Sequence, residues 1–253
     1  MLADALIISA CIAGALLFLF LVSRTYAAHA RKESNDFTGA VVAVIGTTYA
    51  VILAFMLSGV WNQYQQAQSN EEQEANALVN VWRIATQLQV PGAREAEALC
   101  LTYANNVVHK EWPALLASKP LPPENADIIN QLWKFAGQIQ AHSGNDSIAA
   151  YQMMEELRML TEYRRIRVMQ SREALPAILW AVLIVGGVIT VAAACFFGVP
   201  SFRFHVLQVA VLSLLISLVL VAIADIDRPY QGPLTVQAEG FSFAQGTLGT
   251  QGR

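Results

Sequence analysis

Residues 37–60 read FTGAVVAVIGTTYAVILAFMLSGV, from Phe37 to Val60 without a single Asp, Glu, Lys or Arg. A helix rises about 1.5 Å per residue and the hydrocarbon core of a bilayer is about 30 Å thick, so roughly 20 apolar residues make one crossing. Lipid offers no water to backbone N–H and C=O groups, so such a segment must satisfy them internally, as a helix. Three other blocks share these properties: Ala5 to Val22, Ala177 to Phe202 and Phe204 to Ala224. The expected fold is an all-α membrane protein with four transmembrane helices, in two pairs, and a polar insert between the second and third. By sequence, residues 1–61 hold the first pair, 62–176 a helical cytosolic domain, 177–224 the second pair and 225–253 an extended C-terminal tail.

The charges are partitioned between these regions. Only 14% of the 253 residues are charged, against about 25% in a typical soluble domain. Between Asn62 and Pro176 stand 13 acids and 10 bases, 23 of the 35 charged residues in the chain. That insert has the size and polarity of a small domain of its own. The net charge of −3 argues against a nucleic-acid binder, which needs a basic stripe. Cys11 and Cys195 fall inside spans and Cys100 stands alone in the insert, so no disulfide framework is implied. The first block lacks the positive start of a signal peptide, and Arg24 follows it where a small-residue cleavage site would be. It reads as a retained span.

Orientation follows from the bases that flank the spans. Arg24, Arg31, Lys32 and Arg203 lie on one side; Arg158, Arg164, Arg165, Arg167, Arg172 and Arg228 lie on the other. The six-to-four margin favours both termini and the insert in the cytoplasm.

The insert reads as helical throughout. No Gly or Pro interrupts Asn62 to Val90, so the second span is expected to continue as a long helix that Pro91-Gly92 ends. A second helix fits Ala93 to about Leu116, with Leu99, Tyr103, Val107 and Trp112 as its apolar stripe. Pro120 to Pro123 breaks the chain. A third helix fits Glu124 to Ala141, Ser143 to Asp146 forms a loop with Asn145 or Asp146 as N-cap, and a fourth helix from Ser147 feeds into the third span. Pro176 either opens or kinks that last helix. The tail after Arg228, rich in Gly, Gln, Thr and Ser, is expected to fray beyond Phe243.

Enzyme signatures are absent: no phosphate-cradling loop, no nucleophile elbow, no zinc helix. The four histidines, His29, His109, His142 and His205, fall in four different segments. His109-Lys110-Glu111 reads as a solvated helix face. The Arg164-Arg165-x-Arg167 cluster, about ten residues before a span, reads as a topology determinant in contact with anionic lipid. No cofactor is implied.

One pattern points to a function. Asn62, Gln66, Ser69, Gln73, Asn76 and Asn80 recur at steps of 4, 3, 4, 3 and 4, the 3.5-residue period of one helix face. Extended back into the membrane, that register gives Gly59, Phe55, Ile52 and Thr48. Amides suit an apolar core poorly, since each needs several hydrogen bonds. Around an axis shared by several subunits, this face would line a wet path with an apolar constriction, the construction of a hydrophobic gate. The competing reading is an ordinary exposed face with Ile52 and Phe55 packed on another span. Glu71, Glu72 and Glu74 cluster on the same helix as candidate vestibule charge and lean the path towards cations. Asp225 and Asp227, two apart at the end of the fourth span, are weak candidates for a hard-cation site; a salt-bridged helix end is the simpler explanation.

Several of these residues also carry a resemblance. Tyr49-Ala50-x-x-Leu53-Ala54-Phe55, then Trp61, Tyr64 and Ala67, then Glu74-Ala75-x-x-Leu78 and Arg83, resemble the opening motif of the bacterial bestrophin-like domain family, long filed as a domain of unknown function. Arg164-Arg165-x-Arg167, Pro176, Trp180 and the closing Asp227-x-Pro229-Tyr230-x-Gly232 fit the same family, with Tyr230 where Phe is commoner. The resemblance implies kinship with bestrophins: pentameric ion channels with four spans per subunit, cytosolic termini and a helical cytosolic domain. In those channels the second span lines the pore and carries a neck of bulky apolar residues. Their acidic calcium clasp after the last span is matched here only by Asp225 and Asp227, so the resemblance does not extend to calcium activation, and the neck sequence differs. The eukaryotic namesakes conduct anions. The function expected is a homo-oligomeric, pentameric ion channel, not an enzyme, whose partners are further copies of itself, membrane lipids and permeant ions, with no nucleic acid. The alternative is a membrane-anchored interaction or signalling protein whose cytosolic bundle binds a partner without conduction. A transporter is disfavoured, because four spans lack the inverted repeats and broken helices of those folds.

Overall fold

A computed structural model describes residues 2–26, 35–139 and 144–251. His29, Arg31, Lys32, Ala141, His142 and Ser143, which entered the orientation and loop expectations, lie outside the described residues. Helices account for the described elements, with no strand among them. In chain order they are α1 (Leu2–Thr25), α2 (Asn35–Gln87), α3 (Ala93–Asn106), a π-helical segment (Val107–Glu111), α4 (Trp112–Leu116), α5 (Glu124–Gln138), α6 (Gly144–Gln170), α7 (Ala177–Cys195), α8 (Phe202–Ile226) and α9 (Glu239–Gln251). α1, α2, α7 and α8 are each long and apolar enough to cross a membrane. In α2, 53 residues long, the apolar stretch gives way to polar residues from Asn62.

The chain divides into two compact units: residues 1–62 with 174–227, and residues 63–173 with 228–253. In the first, α1 packs on α8 and α7, and α7 on α8. Leu19, Cys195 and Val209 form a buried cluster there. The outward residues of these helices, such as Leu17, Ile184, Val188 and Leu215, are exposed and apolar, the inverse of a soluble bundle and the pattern expected of lipid-facing helices. α2 joins this unit through Tyr49. Its ring lies over α7, and its hydroxyl donates to the Leu183 carbonyl at 2.7 Å. Two glycines permit that approach: a Cβ at Gly186 would stand 2.6 Å from the Tyr49 ring, and one at Gly187 would stand 2.9 Å from its hydroxyl. Asn35 exchanges two hydrogen bonds with the Gly198 backbone, at 3.0 and 2.8 Å.

The second unit is a soluble-type helical domain. α3 packs on α5, α5 on α6 and α9 on α3. Leu78, Trp82, Tyr103, Leu132, Leu157, Tyr230 and Phe241 share its core.

Four expectations about local structure need correction. α2 ends at Gln87, before the turn that leads to Gly92, whose φ of 87° suits a residue without Cβ. α6 begins at Gly144, so Asn145 and Asp146 lie in its first turn rather than ahead of it. The third span does not continue the preceding helix: α6 stops at Gln170 and α7 starts at Ala177, with Pro176 in an extended conformation as its N-cap. Proline lacks the N–H a continuous helix would need, and it disfavours helical geometry at Leu175. The Leu175 N–H freed by this break donates to Asp227 at 2.7 Å. Finally, the tail is not extended: Glu239–Gln251 forms α9, because Phe241, Ala244 and Leu248, on one helical face, bury against the core.

The Tyr49 wedge supplies a test. Gly186→Ala forces its methyl into the Tyr49 ring, and overpacking of this kind costs roughly 1–3 kcal/mol. The melting temperature of detergent-solubilised protein should fall, whereas Gly14→Ala, whose added methyl meets no atom of this chain within 4 Å, should leave it in place.

Candidate functional site

Along α2, one stripe is buried and the rest of the surface, including Val51, Ala54 and Ser58, is exposed or partly so. Tyr49, Leu53 and Val60 are buried in the first unit, and Ala67, Glu71, Glu74, Ala75 and Leu78 in the second. On the other side Thr48, Phe55, Gly59, Asn62, Gln66, Ser69, Gln73 and Asn76 are exposed, and Ile52 and Asn80 partly so. Phe55 is 73% exposed, and among the described residues nothing beyond its own stretch of helix lies within 4 Å of a Cβ built on Gly59. The face picked out by period is therefore one that its own chain leaves uncovered.

The acidic cluster separates into three different environments. Glu72 is exposed. Glu74 is fully buried and holds a bidentate pair with Arg167, whose Nε donates to Oε2 at 2.7 Å and Nη2 to Oε1 at 2.9 Å. Glu71 is 1% exposed and accepts the backbone N–H groups of Gly240 (3.2 Å) and Phe241 (3.0 Å) at the start of α9. A Cβ at position 240 would lie 2.9 Å from Glu71 Oε2, so glycine is what lets the carboxylate come this close. Glu71 and Glu74 are thus committed to the interior and do not supply vestibule charge. A 3.5-residue period places both opposite the amide row, and burial of a carboxylate demands the donors they have found.

Arg167 is the centre of this interior. Its guanidinium, wholly buried, also donates from Nη2 to Glu111 Oε2 at 2.7 Å, and Arg164 donates to the other Glu111 oxygen at 2.7 Å. Tyr103 donates to Glu74 Oε1 at 2.7 Å. The Arg167 guanidinium carbon stands 5.4 Å from the centre of the Trp112 ring, within cation–π reach. The Trp112 indole donates to the Val236 carbonyl at 3.2 Å. Two arginines face two glutamates, so the cluster is formally neutral, although Arg167 Nη1 and Arg164 Nε have no hydrogen-bond partner among the described residues. Burial opposes the charge on Arg167, and Glu74, then Glu111 and Tyr103, outweigh it and hold its pKa well above the ordinary value. Burial, then the Glu74 charge, push the Tyr103 phenol well above its usual range, so it remains a donor.

Glu111, in the π-helical segment, joins this cluster, correcting the solvated-face reading of His109-Lys110-Glu111. Glu111, four residues after Val107, is 1% exposed, and the extra residue in the turn brings Trp112 inwards beside it. The sequence did carry a trace of this. The apolar stripe steps 4, 4 and then 5 residues, from Leu99 to Tyr103 to Val107 to Trp112, and a five-residue step fits one π turn. The basic cluster is divided as well: Arg164 and Arg167 point inwards, while Arg165 pairs with Glu162 at the surface, at 2.8 Å.

At the end of α8, Asp227 is spent on the Leu175 N–H, and Asp225 is partly exposed. Among the described residues no group of three or more His, Cys, Asp or Glu side chains converges to hold a metal, so the carboxylate donors a hard cation needs are not gathered here.

These features define an all-helical membrane protein whose second span runs on, as a single helix, into a polar helical domain. The Bestrophin-like domain profile matches residues 9–241; the chain belongs to the bestrophin-like family. A variant of the bacterial bestrophin homologue from Klebsiella pneumoniae shares the fold with a TM-score of 0.74 at 12% identity, covering 97% of this chain and 99% of that one. The structure of that homologue solved by zinc phasing gives 0.67 at 12% identity, over 95% of each chain. A further variant gives 0.71 at 11% identity, over 97% of each. No curated protein matches the chain significantly.

Two tests address the interior. Arg167→Met leaves Glu74 buried without a counter-charge and Glu111 with Arg164 alone, a loss on the order of 3–5 kcal/mol, and chemical unfolding should show it. Glu71 titrates near neutrality: burial raises its carboxyl from 4.5 to about 7, against the pull of the Phe241 and Gly240 amides and with some help from Glu74 and Glu72. An acid whose folded pKa is raised stabilises the fold fully below its unfolded pKa, and that contribution is lost as pH rises through about 7. Hydrogen-exchange protection at Gly240 and Phe241 should therefore fall between acidic and mildly alkaline pH, and Glu71→Gln should abolish the change.

Proposed function

We propose that this protein is a homo-oligomeric, pentameric ion channel of the bacterial inner membrane, passive rather than enzymatic, with its termini and helical domain in the cytoplasm. α2 lines the path, with Thr48, Ile52, Phe55 and Gly59 in the membrane and Asn62, Gln66 and Gln73 continuing it beyond. The observation that carries this reading is the uncovered face of α2. It runs from a bulky apolar residue, Phe55, into a row of amides that neither a lipid face nor a dry interface would accept. Copies arranged around an axis would cover that face with water and with one another. In a narrow ring the Phe55 side chains can dewet and hold the path closed at rest. Membership of the bestrophin-like family supports the same reading.

The cation leaning drawn from Glu71, Glu72 and Glu74 keeps only Glu72 as an exposed carboxylate, one position off the amide row. The row itself is neutral, so the sign of the permeant ion depends on charge elsewhere along the path.

Planar-bilayer recording with the purified complex tests the proposal. Phe55→Ala should raise basal current severalfold while the detergent-solubilised complex keeps its mass. Leu53→Ala, on the buried face, should lower stability instead. Cysteine scanning from Thr47 to Gln66 with a water-soluble thiol reagent should label in the Thr48-Phe55-Gly59-Asn62 register. Labelling that peaks at Val51, Ala54 and Ser58 would rotate the helix away from this assignment. A stable monomer, or a complex silent in common salts, would favour a membrane-anchored interaction protein.

A further inference from the structure

We infer that Arg83 sets the sign of ion selectivity, as a ring of fixed positive charge at the far end of the amide row that favours anions. The inference rests on the proposal that α2 lines the path. The row Gln66, Ser69, Gln73, Asn76 and Asn80 continues, at the next three-residue step, to Arg83, which is exposed. It is the first charged residue in the register, since every position from Thr48 to Asn80 on that face is neutral. The carboxylates that would oppose it on the same helix are withdrawn. Glu74 is neutralised by Arg167, and Glu71 is enclosed against α9. Glu72 flanks the row three turns before Arg83.

The guanidinium of Arg83 makes no ion pair or hydrogen bond among the described residues. It borders an open groove of about 370 Å³ that α6 lines with Tyr151, Glu155 and Glu156, among others. Glu155 is already held by Arg158, whose Nη2 donates to it at 2.6 Å, which leaves Glu156, among the described residues that line this groove, as the unpaired carboxylate beside Arg83. In a symmetric assembly each subunit contributes one such arginine, and rings of Arg or Lys select anions in wide, wet apertures. A potential of one kT at the ring multiplies local anions by e and divides cations by e, a change of about sevenfold in their ratio.

Reversal potentials of the full-length channel in an asymmetric NaCl gradient test this. The unmodified protein should favour chloride over sodium. Arg83→Gln should lower that preference by about sevenfold, Arg83→Glu should invert it, and Arg83→Lys should retain it; the site is exposed, so folding should be unaffected. Asn80→Cys with a water-soluble thiol reagent, run alongside, reports whether the row lines the path at all. Block at Asn80→Cys with an unchanged reversal potential in Arg83→Gln would overturn the role of Arg83 and leave the pore face standing. Absence of block would take down the pore face and this inference with it. Sodium preference in the unmodified protein, or a chloride shift in Glu156→Gln as large as the loss in Arg83→Gln, would show that Glu156 cancels the ring and would likewise overturn it.

Discussion

A guanidinium with no exposed surface cannot be left to itself: without partners its desolvation would cost several kcal/mol even after relaxation. Arg167 therefore dictates what must surround it. Glu74 on α2, Glu111 on the π-helical segment and the Trp112 face on α4 all have to arrive in one place, and Tyr103 on α3 completes the set by donating to Glu74. Each of these contacts fixes the rotation of a helix about its own axis. For α2 the consequence reaches furthest. With Glu74 and Glu71 held on one side, the positions opposite them, Gln66, Ser69, Gln73 and Asn76, must point away from the domain. The amide row is exposed because the acids are not.

The π-helical segment follows from the same demand. A regular helix from Ala93 to Leu116 would keep Glu111, four residues after Val107, beside the buried stripe but would turn Trp112 away from it. One residue accommodated in a wider turn brings Trp112 to the core while Glu111 still reaches Arg167. π turns are rare and less well bonded than α, so this one is sustained by the contacts with Arg167 that it lets Glu111 and Trp112 make together.

How far the sequence could be read depended on the range of the physics involved. The four spans were legible because bilayer thickness acts on composition alone, and no partner is needed to recognise 24 uncharged residues from Phe37 to Val60. The amide period on α2 was legible for the same reason: a face is a property of one helix. What escaped depended on distant segments. Glu71 and Glu74 looked like surface charge, since nothing near them in sequence announces Arg167 or the amides of Gly240 and Phe241. Helix α9 was obscured by its Gly, Gln and Thr content, and only its docking shows that Phe241, Ala244 and Leu248, at steps of 3 and 4, are a buried stripe. The break at Pro176 was legible as a choice between opening and kinking a helix, and Asp227, which takes the freed N–H of Leu175, decides it.

The buried side of α2 bears on the proposed assembly as well. Tyr49, Leu53 and Val60 in one unit and Ala67, Glu71, Glu74 and Leu78 in the other repeat at steps of 4, 7, 7, 4, 3 and 4, multiples of a 3.5-residue period. The outward residues keep the same count from Thr48 to Arg83. A straight α-helix of 3.6 residues per turn drifts by about 20° per heptad against such a repeat, so over five heptads the two faces would change places by roughly 100°. Leu53, Val60, Ala67 and Glu74 are all buried and keep a spacing of seven residues. A helix that honours a strict heptad over this length winds left-handedly with its neighbours. In the proposed ring of subunits, further copies of α2 would lie along the outward face from Thr48 to Gln73 and wind with it in that sense.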